Sequence, residues 1–148
     1  MIMDSEYALC EKYYIKGGDF SRAGAISTKI KGILQELGIP PGIITRTAIA
    51  AYEAEMNVVM YADEAVLTLN LSPEAIHINI NDKGPGIADI DLAMKEGFST
   101  ATPKMREMGF GAGMGLPNIK RNADKFEILS VLGEGTTYDI ILYLDGLE

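Results

Sequence analysis

The period of apolar and polar residues changes several times along the chain, and each change marks an element. Residues 7–16 (YALCEKYYIK) are rich in tyrosine and read as a first strand, closed by a Gly17–Gly18 turn. Asp19 or Ser21 is placed to cap a following helix, in which Ile26, Ile30, Ile33, Leu34 and Leu37 recur at helical spacing until Gly38. Pro40, Pro41 and Gly42 break the chain. A second helix is predicted from about Ile43 to Tyr61, with Ile44, Ala48, Ala51 and Val58 among its apolar positions. Alternation then takes over: Leu67, Leu69 and Leu71 share one face of residues 65–71. After a turn at Ser72, Pro73 and Glu74, Ile76, Ile78 and Ile80 share one face of residues 75–81, opposite His77, Asn79 and Asn81. Asp89 opens a short helix to about Lys95, and residues 97–114 read as a long loop. Pro117 fits the first turn of a helix ending near Ala123. Residues 125–131 and 136–144 are two last strands around a turn at Gly133, Glu134 and Gly135.

Strands in hairpins and helices in runs predict an α+β fold: a two-layer sandwich with a mixed, mainly antiparallel sheet and helices on one face. Strict strand–helix–strand alternation is absent, which argues against a doubly wound parallel sheet. A length of 148 residues is expected to make one domain, residues 1–148. The 21 acidic residues outnumber the 13 basic ones, and a net charge of −8 argues against nucleic acid as the main partner, since phosphate backbones are bound by surplus Lys and Arg. Cys10 is the only cysteine, which excludes an internal disulfide, and one Cys with one His is too few for a structural zinc site. Cys10 is expected to pack as a small residue in the first strand, and His77 to be structural, on the sheet's more polar face. No stretch of about 18 apolar residues and no basic-then-apolar leader are present, so a cytoplasmic location without membrane contact is expected.

Four short motifs carry candidate chemistry. Glu53 and Asn57 are four residues apart, so on a helix they project from one face. A carboxylate and an amide there can accept a proton, orient water or hold magnesium. Asp82-Lys83-Gly84-Pro85-Gly86-Ile87 stands where a strand ends; glycine lets backbone approach a flat ligand, and Asp82 can accept a hydrogen bond from an amino group. Gly109-Phe110-Gly111-Ala112-Gly113-Met114-Gly115 runs directly into a helix, presenting backbone N–H groups and a positive dipole end suited to phosphates. It lacks the Lys-Ser or Lys-Thr of a Walker loop and the context of a dinucleotide fingerprint. Gly133-Glu134-Gly135-Thr136-Thr137 alone reads as a hairpin turn.

Taken in order, the four motifs resemble the GHKL (Bergerat-fold) ATP-binding superfamily, which includes gyrase, histidine kinases and MutL. There a Glu-x-x-x-Asn box on a helix is followed by Asp-x-Gly-x-Gly, a Gly-x-Gly run after a lid, and a final Gly-Thr. Within it, DKGPGIADIDLAMKEGFST, GAGMGLPNIKRNADKF and GEGTTYDI look most like the anti-sigma-factor and switch-protein serine kinases of partner-switching pathways. The resemblance covers about residues 20–145. ATPKMREMGF, between Thr100 and Gly111, looks longer than the lid of that branch.

The resemblance implies ATP or ADP and Mg²⁺ as cofactors. Asp82 would bind the adenine amino group, supported by Thr136 through water, with Gly84, Gly86 and Ile87 close to the base. Asn57 would be the protein ligand to Mg²⁺. Gly111, Gly113, Met114, Gly115 and Leu116 would hold the phosphates, and Glu53 would be the catalytic general base. Lys104 and Arg106 are candidates for phosphate contacts, since residues 83–125 carry seven basic and five acidic groups while the remainder carries six and sixteen. The implied activity is transfer of the γ-phosphate to a Ser or Thr of a small STAS-type antagonist. The alternatives are a nucleotide-dependent binding module that docks a sigma factor or effector enzyme, and a stand-alone ATPase. A homodimer would follow the anti-sigma relatives.

Overall fold

Two adjacent segments of alternating residues each have one apolar face to bury, and the chain buries both on the same side. A computed structural model of the protein describes residues 9–95 and 115–144. In chain order its elements are β1 (Leu9–Lys16), α1 (Ala25–Glu36), α2 (Pro41–Tyr61), β2 (Glu64–Leu71), β3 (Ala75–Lys83), α3 (Ile90–Ala93), α4 (Gly115–Asn122), β4 (Lys125–Val131) and β5 (Gly135–Tyr143). The strands form one sheet in the order β1-β2-β3-β5-β4. Every neighbouring pair is antiparallel, so nothing in the described sheet is mixed.

Register turns the alternation into rows. Leu67 pairs with Ile80 and Ile80 with Tyr138; Leu69 pairs with Ile78 and Ile78 with Ile140; Leu71 pairs with Ile76 and Ile76 with Leu142. All nine side chains are buried. Each aliphatic one contributes about 1.5–3 kcal/mol relative to exposure. The layer above them is helical. α1 supplies Ile26, Ile30 and Leu34, α2 supplies Ile44, Ala50, Ala51, Ala54, Val58 and Val59, and α4 supplies Leu116 and Ile119. The helices therefore lie on one face, and α2 packs against both α1 and α4.

The outer face of the sheet is polar and mixed. His77 lies there as expected, with Nε2 2.9 Å from Asp139 Oδ1, which also accepts a hydrogen bond from Asn79 Nδ2 at 3.0 Å. Cys10 departs from expectation: it is exposed rather than packed. Its partner across β1 and β2 is Asn70, whose neighbours Leu69 and Leu71 take the buried face, so register turns Cys10 outward.

Two helix starts also differ from the sequence reading. α2 begins at Pro41, two residues earlier than predicted, because proline at the first helical positions lacks an N–H that would go unpaired there. Neither Asp19 nor Ser21 caps α1. They belong to a separate 3-10 turn, Phe20–Arg22, where Ser21 Oγ donates to Asp19 Oδ1 at 2.6 Å. The N-terminus of α1 is instead closed from α2. Glu55 Oε2 accepts from the N–H groups of Gly24 (3.1 Å) and Ile26 (3.3 Å), and Oε1 accepts from Ser27 N–H at 3.0 Å. Glu55 is only 2% exposed, so it is a buried cap and not a solvated charge.

A clasp joins α2 to the end of α4. Arg46 Nε donates to the Asn122 carbonyl at 3.0 Å, and Nη2 donates to Asp124 Oδ1 at 2.8 Å. Asp124 Oδ2 accepts from Tyr143 N–H. The Arg46 guanidinium, then the Tyr143 N–H, hold the Asp124 carboxyl below its ordinary value. A depressed carboxyl stabilises the fold above its unfolded value of 3.8 and loses that contribution as pH falls through the folded value. Arg46→Ala is expected to cost about 1 kcal/mol at neutral pH. In melts across pH, its deficit against wild type should shrink below pH ~4; a constant deficit would mean that packing, not the ion pair, carries the effect.

Among the described residues, no helix is long and apolar enough to cross a membrane.

Candidate functional site

The inner face of β3 runs Ile76, Ile78, Ile80 and then, in the same phase, Asp82. A carboxylate thus ends an apolar column and is 8% exposed. Its Oδ1 accepts from Thr136 N–H at 2.8 Å. Burial pushes the Asp82 carboxyl above its ordinary value, and the Thr136 N–H partly offsets this. Thr136 therefore stands beside Asp82 as expected, but the bond comes from its backbone. Its hydroxyl lies 2.9 Å from Ser130 Oγ on β4, which fixes it toward the neighbouring strand.

The turn after β3 is tied to the β4–β5 hairpin. Gly133 N–H donates to the Pro85 carbonyl at 2.9 Å, and Ile87 N–H donates to Ser130 Oγ at 2.7 Å. Gly86 has φ +76°, and a Cβ there would lie 2.6 Å from the Val131 carbonyl oxygen. Gly135 has φ +150°, and its Cβ would collide with the Asp82 carbonyl. Both glycines are thus required by backbone conformation and by close approach. At Gly84 a Cβ would stand 3.0 Å from Ala62 Cα, at the end of α2. The second and fourth motifs are one structural unit.

The first and third motifs meet across α2 and α4. Asn57 is half-buried beside the Tyr138 side chain, and Gly115 abuts it so closely that a Cβ would lie 3.1 Å from Asn57 Oδ1. Tyr138 is buried, and its hydroxyl is pushed well above its ordinary value by burial and then by the nearby Asp82, so it stays protonated. Glu53 Oε2 accepts from Asn118 Nδ2 at 2.9 Å. Leu116 is buried in the core beside Gly115, and Ile87 packs against its edge.

Glu53, Asn57, Asp82, Thr136, Gly84, Gly86, Ile87, Gly115 and Leu116 are thereby linked through neighbouring contacts. Lys104, Arg106, Gly111, Gly113 and Met114 lie outside the described residues. Three further members of the site escaped the sequence reading. Tyr138 is two residues beyond Thr136 and so shares its face; Ser130 faces Thr136 in the β4–β5 register; Asn118 is three residues beyond Gly115, on one face of α4. These spacings were the available signals.

The residues present suit a purine nucleotide. A buried carboxylate with one oxygen satisfied by backbone leaves Oδ2 to accept from an exocyclic amino group. They also suit Mg²⁺, which keeps several waters and takes few protein ligands; one amide oxygen at Asn57 meets that need. Among the described residues, no cluster of three or more His, Cys, Asp or Glu could hold a metal by itself. A separate groove of about 570 Å³, lined by Lys12, Lys16, Arg22, Lys29 and Glu55 among others, contains none of the motif residues.

The chain is similar to several known proteins. The chain is 33% identical over 118 residues to the serine/threonine-protein kinase RsbT of Bacillus subtilis (strain 168), covering 77% of this chain and 83% of that protein. It is 27% identical over 117 residues to the anti-sigma F factor of Anoxybacillus flavithermus, covering 79% and 69%. A chain of the SiaB–SiaC complex from Pseudomonas aeruginosa superposes with a TM-score of 0.60 over 93% of this chain and 90% of that one; at 11% identity this speaks for the fold. Residues 44–146 match the family model of histidine kinase-, DNA gyrase B- and HSP90-like ATPases. That match spans more than two thirds of the chain, and the chain belongs to the histidine kinase-, DNA gyrase B- and HSP90-like ATPase family.

Proposed function

We propose that the chain, as a single domain acting in the cytoplasm, is an ATP-dependent protein serine/threonine kinase of a partner-switching pathway. Its substrate would be a hydroxyl of a small STAS-type antagonist. The observation that carries the reading is the buried Asp82 carboxylate, held by Thr136 N–H, beside a helix that presents both Glu53 and Asn57. Similarity to a protein named as a serine/threonine-protein kinase supports a protein substrate.

In this reading Asp82 Oδ2 receives the adenine amino group, and Gly84, Gly86 and Ile87 flank the base. Gly111, Gly113, Met114, Gly115 and Leu116 bind the phosphates at the start of α4, where the helix dipole favours negative charge; Lys104 and Arg106 add cationic contacts. Asn57 would hold Mg²⁺, which when bound neutralises charge on the β- and γ-phosphates. Glu53 accepts the proton of the attacking hydroxyl as its oxygen bonds to the γ-phosphorus, while the bond to the β-phosphate oxygen breaks and ADP leaves with that electron pair.

A second reading is favoured by the similarity to anti-sigma F factors: a nucleotide-dependent module that docks a sigma factor or effector enzyme with little kinase activity. The two part in a transfer assay. Radiolabelled Mg-ATP is incubated with the purified chain and, one at a time, with the STAS-domain proteins of its source genome. Label on one of them supports the kinase; label on none, with nucleotide still bound, leaves the binding module.

Nucleotide binding has its own test. Mg-ADP at about 100 times Kd should stabilise the fold by about 2.7 kcal/mol. Asp82→Asn keeps an acceptor for Thr136 N–H but places donors toward the adenine amino group, at a cost of about 2–3 kcal/mol in binding. The ADP-induced rise in Tm should therefore largely vanish. The Tm without nucleotide should hold or rise, since a carboxyl raised by burial opposes folding in its charged form. An undiminished ADP shift in Asp82→Asn would remove the adenine assignment.

A further inference from the structure

α2 and α4 are joined by two hydrogen-bonded rungs and one close approach. Arg46 reaches the Asn122 carbonyl, Glu53 receives the Asn118 amide, and Asn57 abuts Gly115. Positions 46, 53 and 57 lie on one face of α2, and 122, 118 and 115 on one face of α4. The numbers rise on one helix as they fall on the other, so the helices run antiparallel with their polar seam in register. Beside the seam, Leu116 and Ile119 of α4 enter the core.

Asn118 lies outside the four motif runs, three residues beyond Gly115. Asparagine inside a helix is a weak helix former because its side chain competes for backbone groups. Here the side chain is turned across the helix contact, and Nδ2 donates to Glu53 Oε2 at 2.9 Å in a half-buried setting. A glutamate has three freely turning side-chain bonds, and a hydrogen bond on one carboxylate oxygen removes most of that freedom.

We propose that Asn118 is a positioning residue for the proton transfer at Glu53. It fixes Oε2, leaves Oε1 as the oxygen that takes the hydroxyl proton, and ties the base to the same helix whose first residue ends the glycine-rich run. The base and the phosphate-binding end of α4 are thus set as one unit. This rests on the reading of Glu53 as the general base.

The test uses the full chain with radiolabelled Mg-ATP in single turnover, summing label transferred to protein and label released as phosphate. Asn118→Ala should slow γ-phosphate loss about tenfold and leave ADP affinity within about twofold, because no nucleotide contact is assigned to Asn118. Asn118→Asp has the same shape but loses the donor and adds a like charge. It should be at least as slow and should move the acidic limb of the pH–rate profile upward, whereas a purely structural Asn118 predicts near wild-type behaviour for it. Combining Asn118→Ala with Glu53→Gln should slow the reaction no further than Glu53→Gln alone. In the nucleotide-free protein, the Asn118 side-chain amide resonances should shift on Glu53→Gln. Melting temperatures confirm that each variant is folded.

Wild-type speed in both Asn118 variants, with Glu53→Gln slow, overturns the positioning role and leaves the base in place. Equal speed of wild type and Glu53→Gln overturns the base assignment and the positioning role with it. Asn118 resonances indifferent to Glu53→Gln overturn the contact itself.

Discussion

Glu53→Gln is expected to slow phosphotransfer by roughly 10²–10⁴-fold, the usual contribution of a positioned general base, while the ADP-induced rise in Tm stays at its wild-type size. Glutamine keeps the length and one acceptor oxygen, so the Asn118 rung and the packing of α2 against α4 can persist. What it lacks is an oxygen able to take a proton. In the proposed site Asn57, Asp82 and the start of α4 would hold the nucleotide without Glu53, so binding and chemistry should separate cleanly. Isothermal titration with Mg-ADP and single-turnover transfer from radiolabelled ATP measure the two. A variant that transfers phosphate at the wild-type rate would show that Glu53 is not the base. A variant that loses ADP binding would show that its carboxylate is part of the binding site.

Glu55→Ala is expected to have the largest effect on stability. The buried carboxylate accepts three N–H groups at the start of α1, and alanine leaves all three without a partner and opens space beneath them. Each buried unsatisfied donor costs about 1–3 kcal/mol. Allowing for relaxation and entry of water, a loss of about 3 kcal/mol or more follows, a fall in Tm on the order of 10 °C for a chain of this size. Glu55→Gln should fall between, since one oxygen still accepts while the amide group faces other donors. Thermal and urea melts give the numbers. A Tm within about 2 °C of wild type for Glu55→Ala would mean that water caps α1 equally well.

Glu53 and Glu55 illustrate what could be read from the sequence. They are two residues apart on α2 and so point about 200° away from each other. Spacing to Asn57 singles out Glu53, and helical periodicity turns Glu55 elsewhere. Only the packing of α1 against α2 reveals that elsewhere means buried. The partners of Glu55 lie 28–31 residues away in sequence, and that of Glu53 lies 65 away. Contacts at such separations leave no local trace. The start of α1 differs from the sequence expectation for the same reason: its cap comes from another helix, and the local Asp19 and Ser21 belong to the 3-10 turn instead.

The strands were read more closely, because a period of two reports burial directly. The faces carrying Leu67, Leu69 and Leu71 and Ile76, Ile78 and Ile80 are the buried ones. Extending that phase by one step places Asp82 inside, a signal present in the sequence. Cys10 was misjudged because the tyrosine-rich β1 has no clean alternation; its facing is set by pairing with β2.

By itself, then, the sequence determined the order and type of the described elements, the inward face of the central strands and four motifs that mark the ATPase family. These follow from local stereochemistry and from periodicity, which neighbouring residues carry between them. The tertiary structure alone decided that Thr136 supports Asp82 through its backbone, that Asn118 holds Glu53 while Gly115 abuts Asn57, and that Glu55 closes α1. Each of these is a hydrogen bond or close contact between elements distant in the chain. Its partner is selected by how helices and strands pack, since a buried polar group must be satisfied by whatever the fold brings within reach.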